Sequence, residues 1–272
     1  MEKKKVVIVK LGTKSVWANG WVDIVARHCA DLRRMGYGVI IISSGAIEAG
    51  MRRIEDKYPQ RSRNDVEQMY TKRAFSGLGT TLLFRIWDRA FAHYGLIPVP
   101  LLITHNDFDS AKLIRQDILE YVQTGDGIII ANENDLVRDD EIHFGKCGLG
   151  ENDKLTYAMV ALARQISKIE VAAVFFATHK GGYYTADPAN AGAVLISRMS
   201  WEEYPDKDAV TYFMQPFLDP EHRSGNNIDA KVHASFACSH FQKVPLVAIA
   251  QPDQLYAFVT RDNAFIGTQF TE

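Results

Sequence analysis

Short β-branched runs alternate with stretches of helical apolar spacing, a pattern that predicts strands and helices wound into a mostly parallel sheet covered by helices. Strands are expected at Val6–Val9, Val39–Ile42, Ile97–Leu102, Gly127–Ala131, Val171–Ala177 and Val244–Ala250. Each is apolar almost throughout, which fits burial on both faces. Helical stripes lie between them: Val22, Val25, Cys29 and Leu32, with Gly36 at the position of a C-terminal cap; Leu78, Leu82 and Ile86; Leu155, Met159, Leu162 and Ile166; and Ile228, Val232 and Phe236. Two segments break the pattern. Arg52–Glu67 is dense in charge and contains Pro59, while Tyr204–Arg223 contains Pro205, Pro216 and Pro220, so both are expected as irregular, exposed connections. No repeat or flexible linker divides the chain. One continuous sheet, with two functional lobes meeting near residue 170, is the simplest arrangement.

Composition narrows the classes of function. The 272 residues are 47% hydrophobic and 24% charged, which excludes a disordered, collagenous or coiled-coil chain. Lys and Arg number 31 against 33 Asp and Glu, for a formal charge of −2, so the overall balance gives no electrostatic case for nucleic acid or a membrane surface. Cys29, Cys147 and Cys238 are far apart and form no Cys-x-x-Cys pair, which argues against a disulfide framework and a zinc knuckle. The basic start, Met1 to Lys5, is followed only by Val6–Val9 before Lys10, too short for the ~7–15 apolar residues of a signal peptide. No run approaches the ~20 apolar residues of a membrane span. A reducing, cytoplasmic setting is expected. The histidines show no metal-ligand spacing, and no dedicated transition-metal site is expected.

Ligands of parallel sheets collect at the carboxyl ends of strands, so the polar residues there are the candidates for chemistry. Lys10-Leu11-Gly12-Thr13 follows the first strand, placing an ammonium beside a glycine. Ser43-Ser44-Gly45-Ala46 leads from the second strand into a helix, where hydroxyls and free amides can hold an anion. Asn132-Glu133-Asn134-Asp135 follows the Gly127–Ala131 strand and offers either an ammonium site or a turn. Glu151-Asn152-Asp153 precedes a helical stripe and reads most simply as a cap. Lys231 falls in the first turn after Ser224-Gly225-Asn226-Asn227, where amides and an ammonium would converge on a phosphate. Neither a P-loop nor a dinucleotide glycine fingerprint is present. Gly145 to Gly150 fits neither pattern and reads as a flexible loop.

Taken in order, these segments, with Leu101-Leu102-Ile103-Thr104 and Gly182-Tyr183-Tyr184-Thr185-Ala186-Asp187-Pro188, resemble the glutamate 5-kinases of the amino acid kinase family along essentially the whole chain. The resemblance implies a three-layer αβα sandwich around a central, mainly parallel sheet. It also implies transfer of the γ-phosphoryl group of MgATP to the side-chain carboxylate of L-glutamate, the first step of proline synthesis. Residues 1–170 would form the amino-acid half and 171–272 the nucleotide half. Carried onto this chain, Lys10 and Lys231 stabilise the transferring group and contact ATP, and Asp153 holds the lysines. Ser44, Asp135 and Asn152, with Asn132, contact glutamate, while Thr178, His179 and Gly225 fall at nucleotide positions. A homodimer or homotetramer, feedback inhibition by proline and a kinase core without the C-terminal PUA domain are further expectations, to whose regulation Arg52–Glu67 would contribute.

Several positions depart from the family pattern. His179 replaces an aspartate, Asn226 and Asn227 replace glycines, Glu151 replaces an aspartate, and Gly145 to Gly150 includes a short insertion. Two alternatives therefore stand beside the kinase of glutamate. One is a family kinase with another acceptor; the other is a regulatory protein that binds glutamate or proline after its nucleotide half has drifted.

Overall fold

Strands β1 (Lys4–Leu11), β2 (Gly38–Ser43), β3 (Ile97–Ile103), β4 (Gly127–Glu133), β5 (Ile169–Ala177), β6 (Arg198–Ser200), β7 (Val247–Ala250) and β8 (Gly267–Thr271) form one sheet in a computed structural model. Their order is β3-β4-β2-β1-β5-β7-β8-β6, and every neighbouring pair is parallel except β7 with β8. The structure describes residues 2–18, 20–104, 107, 112–124, 126–136, 151–214 and 227–272. Among these, the helices are α1 (Thr13–Val16), α2 (Trp21–Arg34), α3 (Ala46–Lys57), α4 (Arg63–Met69), α5 (Lys72–Ala92), α6 (Lys112–Thr124), α7 (Glu151–Arg164), α8 (Lys207–Met214), α9 (Asn227–Phe236) and α10 (Leu255–Thr260).

The two-residue period of the strands sorts the side chains into two cores. Val6 and Ile8 of β1, Ile40 and Ile42 of β2, and Val174 and Phe176 of β5 pack against α6, α7, α8 and α9. Val7, Val9 and Leu11 of β1, Ile41 of β2 and Phe175 of β5 face α2, α5 and α10. The result is the expected three-layer αβα sandwich with a mainly parallel sheet. Lys10 stands two residues after Ile8, so the same alternation sends it into the layer that holds α7 and α9.

The central strands match expectation, and the edges do not. β3 is an edge strand, with Ile97 62% exposed. Pro98 and Pro100 lack the amide hydrogens that a second neighbour would need, so an apolar run that reads as fully buried lies half open instead. The run Val244–Ala250 narrows to β7 because Pro245 interrupts it. β6 and β8 escape the pattern: one has three residues, and the other, Gly-Thr-Gln-Phe-Thr, is largely polar.

The charged segment Arg52–Glu67 is helical rather than irregular, broken only at residues 58–62. Ser62 and Asp65 form a reciprocal capping box that starts α4. Met51, Ile54, Val66 and Phe75 make a small core beneath it, and Arg63 joins Glu48, Glu55 and Glu67 across its surface. The charges are ion pairs on helix faces, not signs of a loop. Tyr204–Arg223 is likewise corrected in part: α8 buries Val210 and Phe213, and residues 215–223 lie outside the described residues. In α5 the buried stripe is Phe75, Gly79, Leu83 and Trp87, with Leu78, Leu82 and Ile86 half-buried along its flank. Gly36 closes α2 as expected: with φ at +91°, it lets Tyr37 N–H reach Leu32 C=O and its own N–H reach Arg33 C=O.

Candidate active site

After β1 the chain builds β2 on one side of it, and β5 later joins the other side, so the carboxyl ends of β1 and β5 flank a topological switch point. The functional candidates gather along this edge. Lys10, near the end of β1, is almost fully buried, and its Nζ lies 2.7 Å from Oδ1 of Asp153. Lys231 reaches the other oxygen from α9, with Nζ 3.2 Å from Oδ2. One carboxylate therefore bridges two ammonium groups that belong to different helices or strands. Asp153 is wholly closed to solvent and lies with Glu151 and Asn152 in the first turn of α7, where acidic residues are favoured, and it makes the two ion pairs besides.

The electrostatics of the trio follow from burial. Desolvation pulls Lys10 down to about 8, helped by the Lys231 charge and opposed by Asp153. Burial alone would raise Asp153, but the charges and hydrogen bonds of Lys10 and Lys231 hold it below the ordinary carboxylate range. The trio carries one net positive charge when all three groups are ionised. Of the three, Lys231 also lines a neighbouring cleft.

That cleft, about 580 Å³, is lined by Gly12–Ser15 after β1, by Thr178, His179 and Lys180 after β5, by Tyr183 to Pro188, and by Ile228, Asp229 and Lys231 of α9. Gly12 lies against the amine of Lys10: a Cβ there would be in ordinary contact with its Nζ, at 3.7 Å. Thr178 is buried and its N–H donates to Ala250 C=O. The imidazole of His179 is driven below its usual pKa by burial and by the charges of Lys14, Lys180 and Lys231. Thr268 Oγ1 accepts from Tyr183 N–H at 2.8 Å and fixes the turn that closes the cleft.

On the other side of Lys10, the ends of β2 and β4 hold the second group of candidates. Ser44 is buried, its N–H donates to Leu11 C=O, and it precedes Gly45, whose φ of +116° opens α3. Trp17 Nε1 donates to Gly45 C=O at 3.3 Å and secures this turn. Asn132 and Asp135 are buried at and just after the end of β4. Asp135 accepts a 2.8 Å hydrogen bond from Ser76 Oγ through Oδ2, while Oδ1, closed to solvent, has no hydrogen-bond partner among the described residues. Burial, countered by the Ser76 bond and reinforced by Glu133, lifts Asp135 to about 6. Asn152 Oδ1 is a second buried oxygen without a described hydrogen-bond partner. Each of these buried oxygens can accept from a donor outside the described residues.

The expected residues thus divide into a lysine–carboxylate bridge, a cleft of about 580 Å³ and a set of buried polar residues at the ends of β2 and β4. Gly225, Asn226 and the Gly145–Gly150 segment lie outside the described residues, as does the side chain of Glu151. Ser76 and Trp17 are not apparent from the sequence pattern. The available signal for Ser76 was a hydroxyl on the buried stripe of α5, beside Phe75 and Gly79.

A model of the amino acid kinase family matches residues 5–223. Glutamate 5-kinase 2 of Pseudoalteromonas translucida is 34% identical over 211 residues, covering 74% of this chain and 52% of that protein. Glutamate 5-kinase of Azoarcus sp. is 35% identical over 202 residues, with 70% and 49% covered. The chain spans about half the length of the curated relatives it matches. Among solved structures, carbamate kinase from Giardia lamblia bound to AMP-PNP has a TM-score of 0.58 at 11% identity, covering 99% of each chain. Isopentenyl phosphate kinase also gives 0.58, at 13% identity, covering 97% of this chain and 99% of the other. These two likenesses concern the fold. Among the described residues, no helix is long and apolar enough to cross a membrane.

Proposed function

The chain belongs to the amino acid kinase family, and on that premise we propose that it transfers the γ-phosphoryl group of ATP to the side-chain carboxylate of L-glutamate. The observation that carries this reading is the bridge of Lys10 and Lys231 through Asp153, with Lys231 lining the cleft and the buried polar residues Ser44, Asn132 and Asp135 at the ends of the neighbouring strands β2 and β4. Residues 1–170 then serve the acceptor and 171–272 the nucleotide. Glutamate 5-kinases among the relatives support the choice of acceptor.

The chemistry needs no general base, because a glutamate γ-carboxylate has a pKa near ~4.3 and is ionised at neutral pH. Its difficulty is the approach of one anion to another. A carboxylate oxygen attacks the γ-phosphorus, the bond to the β–γ bridging oxygen breaks, and ADP departs with that electron pair. Lys10 and Lys231 offset the charge gathered on the transferring group, and Asp153 keeps both ammoniums aimed at it. Among the described residues no group of three His, Cys, Asp or Glu side chains is arranged to hold a metal, and Asp229 is a carboxylate beside Lys231 in the cleft. Asp229 is the residue that would hold a Mg²⁺ ion brought in with ATP, and the ion would supply neutralisation of phosphate charge. Asp135 pairs with the α-ammonium of the acceptor, and Ser44 with the amides opening α3 donates to a carboxylate.

The reading is tested by ADP release from MgATP across L-glutamate, L-aspartate, N-acetylglutamate and UMP. Release that depends on glutamate is expected; release that depends only on another acceptor moves the chain to a different substrate. His179 motivates one alternative, a glutamate-binding regulator, because an imidazole lines the cleft where the resemblance places a carboxylate. Calorimetric binding of glutamate with no binding of MgATP is the result that favours it.

A further inference from the structure

Ser76 belongs to neither group of expected residues, yet it makes a buried side-chain contact with one of them. Its Oγ donates to Asp135 Oδ2 at 2.8 Å, and both residues are buried. Asp135 Oδ1 is closed to solvent without a hydrogen-bond partner among the described residues. We propose that Ser76 is a positioning residue for the acceptor: by holding one oxygen of Asp135, it leaves the other to receive a primary ammonium group of the substrate. This rests on the reading of the site as one for an amino acid.

The fold makes the placement rigid. A Cβ on Gly79 would lie 1.8 Å from Ala46 C=O, and one on Gly50 would lie 1.9 Å from Phe75 C=O, so α3 and α5 touch backbone to backbone. Ser76 sits within that contact, one residue after Phe75. Its hydroxyl is therefore registered against α3, the helix that Ser44 and Gly45 introduce, while it holds the turn after β4. One side chain ties the carboxylate-binding turn to the ammonium-binding turn. A carboxylate with both oxygens free could rotate or take a proton; one that accepts from a fixed hydroxyl is biased toward its ionised, oriented form. Glu133 is the charged neighbour that opposes this among the described residues, and the hydrogen bond of Ser76 counters it.

The test separates the role of Ser76 from the identity of the substrate. In ligand-free protein carrying ¹³C-labelled aspartate, the Asp135 carboxyl is titrated by NMR in the wild type, Ser76→Ala and Ser76→Thr. The alanine variant is expected to titrate at higher pH and the threonine variant, which keeps the hydroxyl, near the wild type. With MgATP, Ser76→Ala is expected to raise the KM for glutamate at least about tenfold, with the KM for ATP and kcat little changed, and Ser76→Thr to restore it. If the alanine variant is too unstable to titrate, Ser76→Cys keeps the volume with a weaker donor and is expected to shift in the same direction. An unmoved Asp135 midpoint in the variant that lacks the donor overturns the proposal, as does a uniform change in both KM values and kcat. Absence of glutamate turnover in the wild type defeats the acceptor reading, and the ligand-free titration then still decides the role of Ser76.

Discussion

Lys10 Nζ lies 2.7 Å from Asp153 Oδ1 in a region closed to water, so the first strand and the start of α7 are joined by a charge pair that neither can leave cheaply. Removing one partner of a buried pair strands the other. Lys10→Ala is expected to lower stability by roughly 2–4 kcal/mol in urea unfolding, since Asp153 keeps only Lys231. It is also expected to cut turnover at least about a hundredfold, as loss of a charge that stabilises the transferring group does. A variant with unchanged unfolding midpoint and near-normal turnover contradicts both roles.

Asp135 gives opposite pH effects on folding and on binding. Its pKa rises from the ordinary 3.8 to about 6 in the fold, so the folded state holds this proton more tightly. The contribution to stability is complete below the unfolded value and is lost as pH rises through about 6. An ammonium ligand needs the ionised form, so its affinity is level above about 6 and weakens below it. Asp135→Asn, which removes the buried charge, is expected to stabilise the ligand-free protein at neutral pH by on the order of 1–2 kcal/mol while abolishing amino-acid binding. Thermal unfolding and calorimetry across pH read the two effects; an amino-acid affinity independent of pH down to 5, a value chosen about one unit below the midpoint, counts against the assignment.

Gly79 makes the backbone contact of α3 and α5 feasible, since an added Cβ would meet Ala46 C=O at 1.8 Å and Gly50 N at 2.3 Å. Helix propensity alone favours alanine over glycine by about 1 kcal/mol. Gly79→Ala is nevertheless expected to destabilise by about 2–4 kcal/mol, because backbone atoms cannot yield as a side chain can. An increase in stability would show that α3 and α5 can separate without loss.

Arg63 is the exposed counterpart. It contacts Glu48, Glu55 and Glu67, but nearly half of its side chain is open to solvent. Arg63→Ala is expected to cost no more than about 1 kcal/mol, and less in high salt. A loss comparable to that of Lys10→Ala would mean that the α3–α4 surface is far less solvated than it is here.

What could be read from the chain depended on how regular the burial was. The central strands, apolar on both faces, and the helix closed by Gly36 were evident from periodicity and a cap. Edge elements were not: Pro98 and Pro100 lie in an apolar strand whose exposure only the sheet order reveals, and β8 is too polar to stand out. Charge density concealed α3 and α4: their charges pair both along one helix, as Arg52 with Glu48 and Arg63 with Glu67, and across the two, as Arg63 with Glu48 and Glu55. At the site, Lys10 near the end of β1 and Asp135 just after β4 are marked by position alone. The partnership of Asp153 with two lysines needs the packing of α7 and α9 on β1, and Ser76 needs the contact of α5 with the turn after β4. Interactions between distant segments carry no local signature.

In the proposed reaction a carboxylate oxygen of glutamate receives the γ-phosphoryl group beside the Lys10, Asp153 and Lys231 trio. Hydroxylamine trapping of the acyl phosphate, measured with ADP release from MgATP and L-glutamate, tests it most directly. γ-Glutamyl hydroxamate and ADP are expected in equal amounts, with both lost in Lys231→Ala. ADP formed without hydroxamate, or at the same rate without glutamate, would contradict it.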